Sequence, residues 1–206
     1  MADRRHGIPA AATTSTVTGE DWYGRDLTRE HHRCVAFVDV DMTEVRNEGS
    51  TFEECTFAGV RLNASVHTDA AFVNCTFTRC AFFDARLVGC KMVGSMFDRC
   101  TFEVLVVDGG DWGLVGLPGA DLRSARFTRT RLREADLTGV RCQGGSLRDC
   151  DLSGAWLHRA DLSGCDLRGS DLAGIDPHTS ELRGARITID QAVVVAESMG
   201  LDVRVD

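Results

Sequence analysis

Large apolar residues recur at every fifth position of this chain. Between Trp22 and Ile187, 30 of the 34 positions numbered with a final 2 or 7 carry Leu, Phe, Met, Val, Ile, Trp or Cys, and the register never slips. The four exceptions are His32, Asn47, His67 and Pro177. A period of five matches neither the 3.6 of an α-helix nor the 2 of a simple strand. The pattern therefore predicts an internal repeat.

Single units such as Ala120 to Ser124 (ADLRS) and Ala160 to Gly164 (ADLSG) share one order: small, polar, large apolar, polar, turn-prone. Alternate side chains of extended backbone share a face, so the large centre and the small residue two before it point inward. Five residues cannot bury their own centre, so each unit must stack on copies in neighbouring coils. We expect parallel ladders, with Gly where the chain turns at positive φ.

These pentads resemble the pentapeptide repeat family, whose members fold as a right-handed quadrilateral parallel β-helix with four pentads per coil. The resemblance covers residues 20 to 189 and implies an all-β solenoid. At about 4.8 Å per coil, the rod would be roughly 40 Å long. We therefore predict a flexible leader at 1 to 19, a repeat domain at 20 to 189, and a C-terminal helix and tail at 190 to 206.

The period stops near the C-terminus, where a short amphipathic helix is predicted over residues 189 to 200. Thr188 and Gln191 fit a capping box, and Gly200 fits a helix stop. The end of a solenoid exposes unpaired strand edges, so we expect this helix to lie across the last coil.

Several segments carry a narrower resemblance: Phe52 to Gly59 (FEECTFAG), the His67 centre, Phe72 to Phe77 (FVNCTF) and Ala185 to Val194 (ARITIDQAVV). They are similar to the actinobacterial MfpA-type branch, which is associated with fluoroquinolone resistance. Its members are regarded as mimics of duplex DNA that bind DNA gyrase, and their C-terminal helix joins two subunits. The resemblance implies gyrase as partner, no direct contact with nucleic acid, and a homodimer. The implied dimer interface is Ala192, Val195, Ala196, Met199 and Leu201.

Charge adds a local asymmetry. Grouping every fourth pentad assigns the outward positions to four faces, and the face with centres Trp22, Met42 and Leu62 has eight carboxylates against four Arg. The face of Leu27 and Phe127 has six carboxylates against eight Arg. We call the first set the acidic face and predict it as the partner-binding surface: Asp21, Asp41, Glu44, Asp84, Glu103, Asp121, Asp161 and Glu181.

Bulk charge alone makes a weak DNA mimic. The net charge is −8, whereas 40 Å of duplex DNA carries roughly 24 negative charges. Imitation must therefore rely on a local row of carboxylates and on the shape of the rod. Asp is also frequent at the second pentad position whatever the partner, so a purely structural role for these carboxylates stays open.

Seven of the nine Cys lie two residues before a centre, which predicts small buried fillers. Cys55 with Cys75, and Cys80 with Cys100, are 20 apart and should stack. We expect reduced thiols in a cytoplasmic protein. Zinc-type spacing is absent, so no metal or cofactor is predicted. No apolar run is long enough to span a bilayer, and residues 1 to 19 have no convincing signal-peptide core.

Catalysis is not expected, because no His pairs by repeat geometry with a Ser or Cys nucleophile. The His residues considered were His31, His32, His67, His158 and His178. His67 is predicted to be a hydrogen-bonded core residue. The Gly-rich stretch 109 to 119 lacks the Gly-Lys-Ser/Thr ending of a phosphate loop, so we interpret its glycines as residues at the corners where the chain turns from one face to the next.

An Arg-rich corner is predicted from Arg123, Arg126, Arg129, Arg131 and Arg133. It is either a solvated surface or a contact to a partner. Two alternatives to gyrase-directed drug protection stay open: a scaffold solenoid that binds an unrelated protein, and immunity to a gyrase-poisoning natural product.

Overall fold

The structure is a computed structural model that describes residues 12 to 204. Over this range the pentads form a parallel β-helix with four faces and a short C-terminal helix. Residues 20 apart lie in adjacent rungs; Phe57 pairs with Phe37 on one side and Phe77 on the other. The predicted fold is confirmed. Residues 1 to 11 of the predicted leader and the last two residues of the predicted tail lie outside the described residues.

We number the faces by their first centres: Trp22 for face one, Leu27 for face two, His32 for face three and Phe37 for face four. Face two carries a seven-stranded sheet: β2 (Asp26–Thr28), β5 (Arg46–Glu48), β8 (Val66–Thr68), β11 (Arg86–Val88), β13 (Val106–Asp108), β14 (Arg126–Thr128) and β15 (Ser146–Arg148). Face four carries five strands: β1 (Ser15–Thr18), β4 (Val35–Val38), β7 (Thr56–Ala58), β10 (Thr76–Thr78) and β12 (Met96–Asp98). Face three carries three: β3 (His31–Arg33), β6 (Thr51–Glu53) and β9 (Ala71–Val73).

Face one is held by isolated bridges, such as those that join Asp21 to Asp41 and Asp41 to Arg61. In the described part of the chain this face has no named strand. The acidic face is therefore built from turns rather than from extended strands.

The ladder begins earlier than predicted. Strand β1 falls inside the stretch assigned to the leader and pairs with β4. Thr14 donates its backbone N–H to the Cys34 carbonyl at 2.7 Å, and Val17 packs against the core. Val17 continues the five-residue register by one further centre, so the leader boundary at residue 19 was wrong.

Aromatic centres stack along the N-terminal part of the rod. The ring centroids of Phe57 lie 4.9 Å from Phe37 and 4.6 Å from Phe77, with nearly parallel planes. On face three, Phe52 and Phe72 stack at 4.8 Å. Each ring fills the space between its neighbours one coil away, which makes the column continuous.

The small residues two before a centre also hydrogen-bond. Cys75 donates its thiol to the Phe52 carbonyl at 3.3 Å, and Ser95 donates its hydroxyl to the Phe72 carbonyl at 2.8 Å. Both acceptors lie 23 residues earlier. All nine Cys are free thiols, and the predicted fillers are buried except Cys100, which is half-buried. Cys and Ser therefore occupy the same position of the pentad and donate to the same kind of carbonyl.

His67 is the hydrogen-bonded core residue that was predicted. Its Nδ1 lies 3.2 Å from the Asn47 amide nitrogen, and its Nε2 lies 3.0 Å from the Ser65 hydroxyl. Ser65 donates to the Leu62 carbonyl, so its oxygen accepts from Nε2–H and the neutral ring satisfies both nitrogens. Burial lowers the pKa of His67 to about 4.

The C-terminal helix α1 (Ile189–Ser198) has the predicted capping box between Thr188 and Gln191. It ends two residues before the predicted stop, with Met199 as C-cap and Gly200 at φ +84°. Gln191 is buried and donates its amide to the Leu167 and Ser170 carbonyls, both at 2.7 Å. One buried amide thus anchors the helix on the last coils.

Candidate partner-binding face

All eight predicted carboxylates lie on face one, but the rungs centred on Leu62 and Cys142 carry Arg61 and Arg141 in place of a carboxylate. Bridges join Asp21, Asp41 and Arg61, then Asp121, Arg141 and Asp161, and Asp161 to Glu181. These side chains form a row because their positions differ by multiples of 20 residues. The other members, Glu44, Asp84 and Glu103, occupy the two outward positions after a centre.

Five of the eight carboxylates have a structural role. Each precedes a centre and accepts the backbone N–H of the residue two ahead, as Asp21 does from Tyr23 at 2.9 Å and Asp161 from Ser163 at 3.0 Å. The five are Asp21, Asp41, Asp121, Asp161 and Glu181. The same bond occurs on other faces, for example from Thr138 to Asp136. Asp at this position therefore closes the tight turn of the pentad wherever it occurs.

The remaining three carboxylates have no such turn bond. Glu44 accepts a hydrogen bond from the Tyr23 hydroxyl, which raises the pKa of Tyr23. Asp84 lies 3.8 Å from an Arg86 nitrogen, at the limit of an ion pair. Glu103 is exposed. These are the carboxylates whose placement the turn does not explain.

Arg side chains neutralise part of the row. Arg61 donates to Asp41 at 2.6 Å and lowers the pKa of Asp41 to about 2. Asp121 pairs with Arg123 at 2.6 Å and with Arg141 at 3.2 Å, and the Arg123 bond lowers its pKa. These bridged carboxylates keep their charge at neutral pH but present little net negative potential.

Five carboxylates of the face form no ion pair. Within residues 12 to 204, no Arg or Lys lies within ion-pair distance of Asp21, Glu44, Glu103, Asp161 or Glu181. Three of these five precede residue 110 and two follow it. Sequence counting could not separate bridged from unbridged carboxylates, because the Arg partners are often 20 residues away.

The ladder of face one is interrupted between two rungs. Phe82 donates its backbone N–H to the Thr101 carbonyl at 2.9 Å, and Leu122 to the Arg141 carbonyl at 2.7 Å. The corresponding bond from Phe102 to Asp121 is missing, and the bridge between Thr101 and Asp121 is missing too. A cleft of about 710 Å³ opens there, lined by Phe97, Phe102, Glu103 and Asp121 among others. The break divides the acidic row between Glu103 and Asp121.

The predicted dimer residues are only partly free. Val195 packs against the core of its own rod, and Ala196 is half-buried. Ala192, Met199 and Leu201 are exposed, the last two by 51% and 58%. Ile189 and Val203, which were not in the predicted set, are also exposed apolar residues at this end.

The Arg-rich corner is largely paired within the chain. Arg129 donates to both carboxylate oxygens of Asp108, and Arg131 lies 3.1 Å from Asp111. Arg133 lies 3.8 Å from Asp151. These pairs favour the solvated-surface interpretation over a dedicated binding patch.

The described residues contain no cluster of side chains suited to hold a metal ion. Between residues 12 and 204, no three His, Cys, Asp or Glu side chains converge in a way that would hold a metal ion. The Gly-rich stretch forms corners, as predicted; a side chain at Gly110, where φ is +86°, would collide with the Cys90 carbonyl. Over the same range, no helix combines the length and apolar character needed to cross a membrane.

Comparison with known proteins gives two family models. One, pentapeptide repeats, matches eight copies over residues 117 to 154 and 160 to 188; another, the SV2A/B/C luminal domain, matches residues 27 to 102. A stretch of 92 residues, 45% of this chain, is 40% identical to the pentapeptide repeat protein MfpA of Mycobacterium tuberculosis. These matches agree with the four-sided stacking of pentads. The chain is built from pentapeptide repeats.

Two further comparisons define how far the likeness extends. MfpA of Mycolicibacterium smegmatis is 38% identical over 72 residues, 35% of this chain and 32% of that protein. The match to the M. tuberculosis protein covers 50% of the length of that protein. The solved structure of QnrB1, a plasmid-mediated fluoroquinolone resistance protein, superimposes with a TM-score of 0.53 at 18% identity over 92% of this chain and 99% of that one. The QnrB1 likeness concerns the fold alone.

Proposed function

We propose that this pentapeptide repeat protein binds DNA gyrase through its acidic face in place of DNA, and that it thereby protects the enzyme from fluoroquinolones or related poisons. The observation that carries the proposal is the set of eight carboxylates along one wall, in which Asp21 with Asp41 and Asp161 with Glu181 lie on adjacent rungs about 4.8 Å apart. The MfpA resemblance supports gyrase as the partner. No catalytic step is part of the proposal.

Residues that normally hold phosphates in a DNA-binding groove are Lys and Arg. Glu44, Asp84 and Glu103 are the carboxylates best placed to meet them, because no turn bond engages them and the one Arg close to any of the three is Arg86, 3.8 Å from Asp84. Asp41 and Asp121 would contribute less to binding, because each must break an ion pair with an Arg of this chain before it can pair with an Arg or Lys of the partner.

The test compares two triple variants in gyrase binding and supercoiling titrations with and without a fluoroquinolone. Glu44→Gln, Asp84→Asn and Glu103→Gln together should weaken gyrase binding at least tenfold. The matched control, Glu48→Gln, Glu53→Gln and Glu134→Gln, removes the same charge from faces two and three and should leave binding unchanged. A wild-type protein that neither binds gyrase nor alters supercoiling or drug-dependent cleavage refutes the proposal and favours an unrelated partner.

We further propose that two copies join at the C-terminal end into a homodimer. The exposed apolar residues Ile189, Met199 and Leu201 support this, because they surround the end of the rod where a second copy can cover them. Met199→Asp with Leu201→Asp should yield monomers in sedimentation, whereas Glu197→Arg on the same helix should not. A persistent dimer in the double variant would contradict the helix-joined arrangement.

A further inference from the structure

A groove lined by Arg side chains runs along the corner between faces one and two. Its volume is about 790 Å³, and it contains two carboxylates, those of Asp84 and Asp166. The Arg residues that line it outnumber them and are Arg86, Arg123, Arg126, Arg148 and Arg186. This groove is therefore basic, although the whole chain has a net charge of −8.

Three of these Arg side chains are available to a ligand. Within residues 12 to 204, no carboxylate lies within ion-pair distance of Arg126, Arg148 or Arg186, and all three are exposed. The Asp166 carboxylate is already engaged, because its two oxygens accept from Arg168 at 2.8 and 2.7 Å. The groove thus presents three guanidinium groups that the described part of the chain does not neutralise.

Small residues form the floor between the Arg side chains. In the ladder of face two, Ser146 lies between Arg126 on one rung and Asp166 on the next, and Arg186 follows Asp166. Gly144 lies on the same coil as Ser146 and also lines the groove. A depression with guanidinium groups at its rim and a hydroxyl in its floor suits a phosphate group, because Arg can donate to two oxygens of a phosphate at once.

The length of the groove favours an extended polyanion over a single phosphate. Arg126 and Arg186 are three rungs apart, which is about 14 Å at the spacing of adjacent strands. One strand of duplex DNA places roughly four phosphates over that length. No Tyr, Trp or His lines the groove, and no Phe does either, so it offers no ring on which an unpaired base could stack. The lining matches the backbone of a duplex better than a nucleotide or a single strand.

The same stretch is poorly suited to an acidic protein segment. From Arg126 to Arg186 the residues that line the groove are polar or Gly, and the apolar Val104 and Val106 lie outside that stretch. Protein interfaces depend on apolar contacts at their centre. Phosphate contacts need only positive charge and hydrogen-bond donors.

We propose that this groove binds the sugar-phosphate backbone of duplex DNA without reading its sequence. Arg126, Arg148 and Arg186 donate to successive phosphates, and the Ser146 hydroxyl donates to a phosphate between them. Direct contact with DNA differs from what the family resemblance implies. It does not rest on the proposed function, because the three Arg lie on face two. The net charge of −8 opposes long-range attraction, so binding is expected at low salt.

The first test measures binding of a short duplex DNA to the full chain by fluorescence anisotropy, between about 50 and 200 mM salt. The triple variant Arg126→Gln, Arg148→Gln and Arg186→Gln should bind at least tenfold more weakly at the lowest salt. The slope of log Kd against log salt should fall by about 3, because roughly 0.9 is lost with each of the three phosphate contacts.

A matched triple variant removes the same charge outside the groove. It replaces three exposed Arg that likewise form no ion pair within residues 12 to 204: Arg29→Gln, Arg79→Gln and Arg159→Gln. This control should keep the wild-type slope. An equal loss of affinity in the two triple variants would show that overall charge, not the groove, holds the DNA.

The second test leaves every Arg in place. Ser146→Glu puts a carboxylate between Arg126 and Arg186, where it pairs with them, so DNA binding should fall at least tenfold while the melting temperature stays at or above the wild-type value. Ser146→Gln has the same length without the charge and should bind DNA as the wild type does. Equal binding by the Glu and Gln variants would overturn the assignment of the groove.

Three further outcomes overturn the proposal. Wild-type protein that binds no duplex DNA at low salt removes it outright. Tighter binding of single-stranded DNA excludes the duplex backbone, and tighter binding of poly-glutamate than of duplex DNA assigns the groove to an acidic protein segment. These measurements contain no gyrase, so each failure leaves the proposed function standing.

Discussion

The two halves of the rod bury the same kind of column but build their walls differently. Up to Asp108, faces two, three and four consist largely of strands, and the centres of faces three and four are mostly Phe. Between Asp108 and residue 204, where the description ends, only β14 and β15 are strands, and isolated bridges and turns hold the other faces. Leu is the usual centre there. The same five-residue repeat thus forms strand-rich faces in one half and turn-rich faces in the other.

The residue before each centre accounts for much of the difference. In β7 that residue is Thr56, whose β-branched side chain suits extended backbone. In the pentad of Leu137 it is Asp136, whose carboxylate accepts the Thr138 N–H and closes a turn. The two family matches divide the chain in a similar place, at residues 102 and 117. The residue before each centre thus decides whether a pentad forms a strand or a turn, whereas the buried column of centres is common to both halves.

The largest effect is expected from the aromatic column. Phe57→Ala should destabilise the protein by about 3–5 kcal/mol in urea unfolding, because the ring leaves a cavity between Phe37 and Phe77. Leu137→Ala in the other half should cost about 2–5 kcal/mol, since it leaves a smaller void. A loss below 1 kcal/mol for Phe57→Ala would show that the stack does not hold the N-terminal half together.

Turn pentads should depend on the carboxylate as a hydrogen-bond acceptor. Asp136→Ala leaves the Thr138 N–H without its partner and should cost about 1–3 kcal/mol by urea unfolding. Asp136→Asn retains the acceptor oxygen and should cost less than half as much. Equal losses in the two variants would mean that charge, not the turn bond, matters at this position.

Acid should weaken the turn-rich half through Asp166. Its pKa is lowered from 3.8 to about 2, chiefly by the Arg168 hydrogen bond. A carboxyl with a lowered folded-state pKa adds stability above its unfolded value, and that stability is lost as pH falls from about 4 towards 2. Between pH 5 and 2, the free energy of unfolding in urea should fall by about 1–2 kcal/mol less in Asp166→Asn than in the wild type.

The exposed Asp26→Asn variant is the matched control for that experiment. Asp26 is exposed and forms no ion pair within residues 12 to 204, so this variant controls for the removal of one carboxylate. An Asp166→Asn profile that coincides with wild type would exclude this carboxyl as the source of acid sensitivity.

The smallest effect concerns the interrupted ladder between the halves. Hydrogen exchange should be faster at the Phe102 and Asp121 amides than at Phe82 and Leu122, whose N–H groups are bonded to the next rung. Global stability should be almost unaffected by this local opening. Protection of Phe102 equal to that of Phe82 would mean that the rungs close in solution.

Much of the fold was predictable because it depends on spacing. The period located the inward centres and His67 as a satisfied core residue, and the three-residue spacing of Thr188 and Gln191 located the capping box. The leader boundary was wrong because polar Ser and Thr residues masked one more centre at Val17. For the candidate site, the row of carboxylates was predictable from the sequence. Their ion pairs were not, because Arg61 and Arg141 pair with Asp41 and Asp121 on the preceding rung.

By itself, the sequence determined that apolar side chains recur every five residues, which forces stacking because no single pentad can bury its own centre. Which residues share a wall depends on the coil of 20 residues, which the family resemblance implied and the structure shows. Only the tertiary structure decided which carboxylates close turns, where the ladder of face one opens, and which Arg side chains of the described residues form ion pairs. Those properties arise from contacts between adjacent rungs, where each atom's partner depends on the geometry of the coil above or below.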